Sequence, residues 1–305
     1  MICKDNFLLA ENRCGFQVSE KRKKIWKIEL DILEEIETLC KENSLEYFLI
    51  GGGGLGAVRH RGFIPWDDDL DIGMRRADLS AFLKIAREKL PEHLDVQYGL
   101  ESETSFNGFL RIRDSRTTGI LRADANEKGN GGIFVEIYPY DDIPNNKILI
   151  KLQHSIVNWL STTLSDRAYG VELNIAKKII VNILKPFSRE TIWKWYNHFC
   201  QKYNGKNMKY CDLIALPNYA KEGIYMYKNE DVMKTEYAEY EYLKARIPCN
   251  LDFYLRKKYG NYFEFPSPEE RGQHHKKIVF YDPDKSYKEY AGTEYLKKYF
   301  EDASS

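Results

Sequence analysis

Long apolar runs are missing from this chain. Its densest stretch, Ile179 to Leu184, is far too short to span a bilayer. The N-terminus, Met1-Ile2-Cys3-Lys4-Asp5, carries charges where a signal peptide needs its apolar core, so no secretory leader is expected. Cysteine is sparse and dispersed: Cys3, Cys14, Cys40, Cys200, Cys211 and Cys249 form no CxxC pair and no tight His/Cys cluster. That spacing excludes a structural zinc site and a dense disulfide framework, and it predicts reduced thiols in a cytoplasm. An excess of either charge is missing too, because Lys plus Arg and Asp plus Glu are both 46. A protein that grips nucleic acid through its phosphates shows a basic excess, so no nucleic-acid partner is expected. Internal repeats and low-complexity tracts are also absent. At 43% hydrophobic and 30% charged residues the chain reads as globular, and its 305 residues suffice for one large domain or a domain with an appendage.

Residues 19 to 43 predict an amphipathic helix, with Ile25, Ile28, Ile32, Ile36 and Leu39 recurring every three or four positions. Tyr47 to Ile50 reads as a short buried strand that runs into Gly51-Gly52-Gly53-Gly54, with a helix expected from Leu55 to His60. The segment Trp66 to Met74 reads as a strand, Asp78 to Leu90 as a second amphipathic helix, and Phe109 to Arg113 and Ile133 to Tyr138 as further strands of one sheet. Asp124 to Gly132 is expected to be a hairpin loop, and Asp141 and Asp142 turn residues. After Pro144 the pattern changes: residues 148 to 200 are helix-like, and Tyr219 to Tyr262 is tyrosine-rich without a single period. The expected fold is α/β (α+β), a mixed sheet with flanking helices and a largely helical C-terminal half. Its division is a catalytic core over 19–145 and a second half over 146–300 that completes the site.

Four aspartates fall within five positions: Asp67, Asp68, Asp69 and Asp71. Like charges this close repel, and burial raises the cost. Leu70 and Ile72 alternate with Asp69 and Asp71, so a half-buried strand would turn both carboxylates to one face. Such a pair needs a cation, and its oxygen donors suit Mg²⁺ or Mn²⁺. A strand that turns through Gly52, Gly53 and Gly54 into a helix exposes backbone N–H groups suited to phosphate. The order strand, glycine turn, short helix and acidic strand therefore places phosphate donors beside metal ligands. Glu136, inside the apolar strand Ile133-Phe134-Val135-Glu136-Ile137-Tyr138, is the candidate third acid, and an ion pair with Arg111 or Arg113 is the competing explanation.

The segment Gly51 to Met74 closely resembles the signature of the LicD family, which includes bacterial phosphocholine transferases and fukutin-related ribitol-phosphate transferases. The likeness continues in Leu110-Arg111-Ile112-Arg113-Asp114 and Val135-Glu136-Ile137-Tyr138-Pro139-Tyr140-Asp141. It resumes from Tyr254-Leu255 to Tyr259-Gly260-Asn261-Tyr262, with Pro266, Pro268, Arg271 and His274-His275 after it. Glu136 stands where many relatives have aspartate, and the cysteine-rich zinc insert of the fukutin-related branch has no counterpart. The resemblance implies a nucleotidyltransferase fold with Asp69 and Asp71 as the metal-binding pair and Asp67 as a further candidate. It implies transfer of a phospho-alcohol, such as phosphocholine, from a CDP-activated donor such as CDP-choline to a hydroxyl of a glycan or lipid-linked glycan. CMP would leave. Arg59, Arg111 or Arg113 could clamp phosphate oxygens, His274 and His275 are additional candidates, and Tyr225, Tyr227, Tyr240 and Tyr242 are available for a cage around a quaternary ammonium. Competing readings are a nucleotidyltransferase that releases pyrophosphate and an inert scaffold of the same fold. The apolar stripe of residues 175 to 187, with Lys177, Lys178 and Lys185, could rest on the inner face of a membrane, but it is read as facing the core.

Overall fold

The structure, a computed structural model, describes residues 6–67, 69–101, 105–121, 130–169, 173–216, 223, 225–271 and 278–290. A small hairpin of β1 (Glu11–Arg13) and β2 (Phe16–Val18) leads to α1 (Glu20–Glu42). The Ser19 side chain starts α1 by accepting from the Arg22 amide, which satisfies one of the helix's orphan donors. Ile25, Ile32, Ile36 and Leu39 of α1 are buried as their spacing predicts, with Trp26, Leu30 and Leu33 beside them, while Ile28 is half-buried at the edge of the core. Next come β3 (Tyr47–Leu49) and α2 (Gly51–His60), then β4 (Asp71–Arg75) and α3 (Arg76–Lys89). β5 (Leu94–Gly99), β6 (Asn107–Asp114), β7 (Thr118–Leu121) and β8 (Ile133–Ile143) follow.

The main sheet runs β5-β6-β8-β4-β3, with β4 and β8 parallel and the other pairs antiparallel. One face carries Leu49, Ile72, Leu110, Ile112, Val135 and Ile137 into a core shared with α1 and α3. Several boundaries differ from expectation. The acidic strand begins only at Asp71, and Asp69 lies in its approach. α2 starts at Gly51, so the glycines form the first turn of the helix rather than a turn before it. Glycine is a poor helix former, and packing explains its presence here: a Cβ on Gly52 would run into the Asp67 carboxylate, and one on Gly56 into the Gly62 carbonyl.

β8 continues past Tyr138 to Ile143, so Asp141 and Asp142 are strand residues rather than turn residues. Pro139 is tolerated because the pairing with β6 stops at Ile137 and the pairing with β9 begins only at Asp141. Asp141 is fully buried and takes two hydrogen bonds from Arg76, at 2.9 and 2.5 Å, while Asp142 takes one from Arg75 at 2.6 Å. These pairs fasten β8 to the junction of β4 and α3.

The second half opens with α4 (Lys147–Tyr169), α5 (Ile175–Leu184) and α6 (Arg189–Cys200). Asn146, Asn174 and Ser188 accept amide hydrogen bonds at the three N-termini. Beyond Cys200 strands return. β9 (Tyr210–Asp212) and β10 (Tyr227–Lys228) extend the main sheet from the far end of β8. Then come α7 (Asn229–Val232), the hairpin of β11 (Thr235–Tyr240) and β12 (Leu243–Pro248), α8 (Leu251–Tyr259), the short α9 (Pro268–Arg271) and β13 (Ile278–Asp282), which pairs with β7. The long helices of this half thus end at Cys200, after which strands and short helices alternate. No helix among the described residues is long and apolar enough to cross a membrane. Most of the expected 124–132 loop lies outside the described residues.

α5 overturns the expectation that its stripe faces the core. None of its residues is buried, and Ile175, Ile179 and Ile183 point outward.

Asp212 gives the fold a measurable pH response. Burial pushes its carboxyl up to about 7, against the opposing effects of a hydrogen bond from the Leu213 amide and the charge of Lys257. The folded state therefore holds a proton on Asp212 between about pH 4 and pH 7 that the unfolded chain has released. That contribution to stability is present at low pH and is lost as pH rises through about 7. Asp212→Asn should raise the melting temperature at pH 8 by a few degrees and change it little at pH 5, as read by thermal denaturation at both pH values.

Candidate active site

Strand register builds a row of charge on the sheet face opposite the main core. Asp71 of β4 pairs with Glu136 of β8, and Glu136 pairs with Arg111 of β6. Register partners in a sheet share a face, about 4.8 Å apart, so Asp71, Glu136 and Arg111 stand side by side. Arg111 donates Nε and Nη2 to Glu136 Oε1 at 2.9 and 2.8 Å, and the Tyr138 hydroxyl donates to Oε2. The expected competitor to catalysis, an ion pair, is therefore present, and it sits beside Asp71. The Arg111 guanidinium lies between the rings of Phe109 and Phe134, 5.1 Å from each centroid.

Asp67, Asp69 and Asp71 are all half-buried, whereas Leu70 and Ile72 are fully buried, which is the alternation the sequence predicts. Asp68 lies outside the described residues. The approach loop is braced from α1: Arg22 Nη1 and Trp26 Nε1 both donate to the Asp67 carbonyl, at 2.9 and 3.0 Å. A second brace comes from Glu241, buried at the tip of the β11–β12 hairpin, which accepts from the Phe63 amide and from Arg13.

The glycine-led end of α2 abuts this loop. Its first i→i−4 hydrogen bond runs from the Gly54 amide to Ile50 O at 3.2 Å, and the preceding residue, Ile50, offers no side-chain cap. The amides of Gly51, Gly52 and Gly53 thus come before the helical ladder, as suits an anion. The Ile50 amide donates to Asp71 O at 3.2 Å, which fixes that helix end against the acidic strand.

Lys258 of α8 escaped the sequence reading. Its Nζ lies 4.0 Å from where a Gly51 Cβ would stand, donates to the Tyr225 hydroxyl at 2.5 Å, and rests 3.9 Å from the Tyr225 ring centroid and 4.8 Å from that of Tyr259. Burial pushes its ammonium down to about 8, while the charges of Asp71 and Asp67 act in the opposite sense. A cation is therefore already built in beside the two acids and the glycine turn. The signal was available, since Tyr254 to Tyr262 is the stretch where the likeness resumes, but nothing in Lys257-Lys258 marks which lysine turns inward.

Other candidates are placed elsewhere. Arg59 donates to Tyr262 O at 2.8 Å and to His60 Nε2 at 2.9 Å and lies against Trp66 and Phe265, so its guanidinium braces a loop. Arg113 is buried and donates to Gln97 Oε1, Gly119 O and Gly132 O, a structural post. Of the four tyrosines considered for a cage, Tyr240 and Tyr242 belong to the main core, and Tyr227 is buried among Phe48, Tyr140 and Tyr254. Tyr225 does reach the site, with the Lys258 ammonium on its face. His274 and His275 lie outside the described residues.

Among the described residues no three His, Cys, Asp or Glu side chains converge as a ready cage for a metal. Mg²⁺ does not require one, because it is commonly held by one or two carboxylates plus water and substrate phosphate. The half-buried, all-oxygen donors of Asp69 and Asp71 fit that requirement.

Residues 44–162 match the family model described as LicD/FKTN/FKRP, nucleotidyltransferase domain. The span contains the glycine helix, the acidic strand, Arg111 and Glu136. The chain is 29% identical over 250 residues to the lipopolysaccharide cholinephosphotransferase LicD of Haemophilus influenzae, covering 81% of this chain and 92% of that protein. Shorter similarities join it to uncharacterized proteins of Rickettsia prowazekii, 36% identical over 76 residues (25% of this chain, 27% of that one), and Rickettsia typhi, 37% identical over 70 residues (23% and 21%). Signature and similarity along most of its length agree: residues 44–162 of this chain carry a domain of the LicD/FKTN/FKRP nucleotidyltransferase type.

Proposed function

We propose that this protein transfers phosphocholine from CDP-choline to a hydroxyl of a cell-surface glycan, with release of CMP. The observation that carries the reading is the register that sets Asp71 beside Glu136 at the end of the sheet where α2 presents its glycine amides. Similarity to the Haemophilus cholinephosphotransferase over 92% of that protein's length supports the choice of phosphocholine and of a glycan acceptor. The five described cysteines are free thiols, in keeping with a cytoplasmic site of action.

In this reaction the acceptor oxygen attacks the phosphorus that bears choline. The bond from that phosphorus to the bridging oxygen breaks, and CMP departs with the electron pair. Mg²⁺ or Mn²⁺ on Asp69 and Asp71 would neutralise charge on the diphosphate and on the leaving CMP. The amides of Gly51, Gly52 and Gly53 and the ammonium of Lys258 hold phosphate oxygens, which orients the donor and favours the developing charge. Glu136, aimed by Arg111 and Tyr138, receives the acceptor proton or orients its hydroxyl.

Purified protein given CDP-choline, Mg²⁺ and a glycan acceptor should produce CMP, and a panel of CDP-ribitol, CDP-glycerol and CDP-ethanolamine would rank the alcohols. Pyrophosphate release from a nucleoside triphosphate would replace this reading with nucleotide transfer to a small molecule. Binding without turnover of any donor would leave an inert scaffold.

Asp69→Asn and Asp71→Asn should each fold normally yet lower turnover by at least about a hundredfold, because each removes charge at the reacting phosphate. Chelation should do the same, with activity restored by Mg²⁺ or Mn²⁺; full activity in a chelated sample would refute the metal's part. Lys258→Met should lower kcat/KM for the CDP donor by about tenfold or more through loss of a charged phosphate contact.

Glu136 separates two roles. Glu136→Gln should cripple turnover and also lower the melting temperature, since buried Arg111 loses its counter-charge. Glu136→Asp should keep part of the rate. A Gln variant that melts early but turns over at the wild-type rate would confine Glu136 to the ion pair.

A further inference from the structure

Helices α4 and α5 pack against each other, and Arg167 of α4 fixes the end of α5 by donating to Leu184 O at 2.8 Å and Phe187 O at 2.7 Å. The inward side of α4 is satisfied: Val157, Leu160 and Leu164 are buried with Ile192, Tyr196 and Cys200 of α6. Both helices nevertheless carry a second apolar stripe on the outside. On α5 it is Ile175, Ile179 and Ile183, exposed by 80%, 56% and 65%, at the i, i+4, i+8 spacing of one helical face. On α4 it is Ile148, Leu152 and Trp159, exposed by 76%, 51% and 43%. Scattered exposed leucines and isoleucines are ordinary surface; stripes at helical spacing on two adjoining helices are not.

Charge tells what covers them. The chain as a whole has equal acids and bases, yet no Asp or Glu occurs between Asp142 and Asp166, or between Glu172 and Glu190. In those spans lie Lys147 and Lys151 of α4, Lys177 and Lys178 of α5, and Lys185 just after it. At 100° per residue, Lys178 and Lys185 border the α5 stripe and Lys151 borders that of α4. An apolar stripe edged by lysine and free of acids is the pattern of a helix that lies in the interface of an anionic bilayer. A second copy seated stripe to stripe would bring the lysines of both copies together, with Asp166 near the end of α4 as the one acid in the two helices to offset them.

We propose that α4 and α5 form a docking surface that seats this protein on anionic lipid, with the outward isoleucines and Trp159 entering the headgroup boundary. The inference stands on these two helices and is independent of the reaction assigned to the site.

The full chain should be sedimented with vesicles of mixed phosphatidylglycerol and phosphatidylcholine, and with phosphatidylcholine alone, at low and high salt. The wild type should bind the anionic vesicles about tenfold or more tightly than the neutral ones, and salt should weaken the binding. The double variant Ile179→Glu/Ile183→Glu alters only exposed positions, so it should keep the wild-type melting temperature and lose binding. Lys178→Glu/Lys185→Glu should weaken binding to the anionic vesicles alone. Absence of binding by the wild type, or equal binding by the isoleucine variant, would overturn the proposal. So would a wild-type dimer in analytical ultracentrifugation that the isoleucine variant dissociates, since the stripe would then be covered by a second copy.

Discussion

The parallel pairing of β4 with β8 is the constraint on which the candidate site depends. It makes Asp71 and Glu136 lateral neighbours, a placement two carboxylates resist unless positive charge is supplied. The protein supplies it from both sides. Arg111 approaches Glu136 from β6, and Lys258 approaches the acidic strand from α8. A one-residue slip of β4 against β8 would turn Asp71 into the apolar core and Ile72 toward the acids. Four contacts oppose that slip: Glu136 N–H to Leu70 O, Arg75 with Asp142, Arg76 with Asp141, and Gly73 lodged between Phe48 and Tyr140. A Cβ on Gly73 would come within 2.7 Å of both rings, so the strand crosses there only because that residue has no side chain.

The approach to β4 is irregular backbone, and other parts of the chain hold it in place. α1 delivers Arg22 and Trp26 to the Asp67 carbonyl, and the N-terminal hairpin delivers Arg13 to Glu241. Glu241 in turn accepts from the Phe63 amide, and its own amide donates to Arg61 O. Farther along, Arg271 lies 4.6 Å from the Trp66 ring centroid. The family likeness resumes in a late segment because those residues line or brace the same loop as the early signature.

Much of this was legible where local pattern and final environment agree. The spacing of Ile25, Ile32, Ile36 and Leu39 fixes the buried face of α1, and the alternation of Asp69, Leu70, Asp71 and Ile72 gives the half-buried acidic approach. Legibility ended where a partner remote in sequence decides the outcome. Asp141-Asp142 after a proline looks like a turn, and it becomes strand because Arg75 and Arg76, some 65 positions earlier, neutralise it. Arg59 and Arg113 are attractive near a phosphate site by residue type, yet backbone carbonyls claim both. β7 went unrecognised because its partner β13 is more than 150 residues away.

The misreading of α5 differs in kind, because periodicity locates an apolar stripe without saying which medium covers it. The same isoleucine spacing serves a protein core and a lipid surface, so the distinction has to come from the residues between. α1 is the useful contrast. It alternates its isoleucines with both Lys and Glu, as a solvent-facing side requires, and it buries all of its stripe but Ile28, which is half-buried against the core. α5 has lysines and no acids on its flanks, and it buries nothing. In a chain with balanced charge, a span depleted of one sign carries more information than the apolar residues it surrounds, and here that depletion coincides with the helices whose apolar faces the fold leaves uncovered.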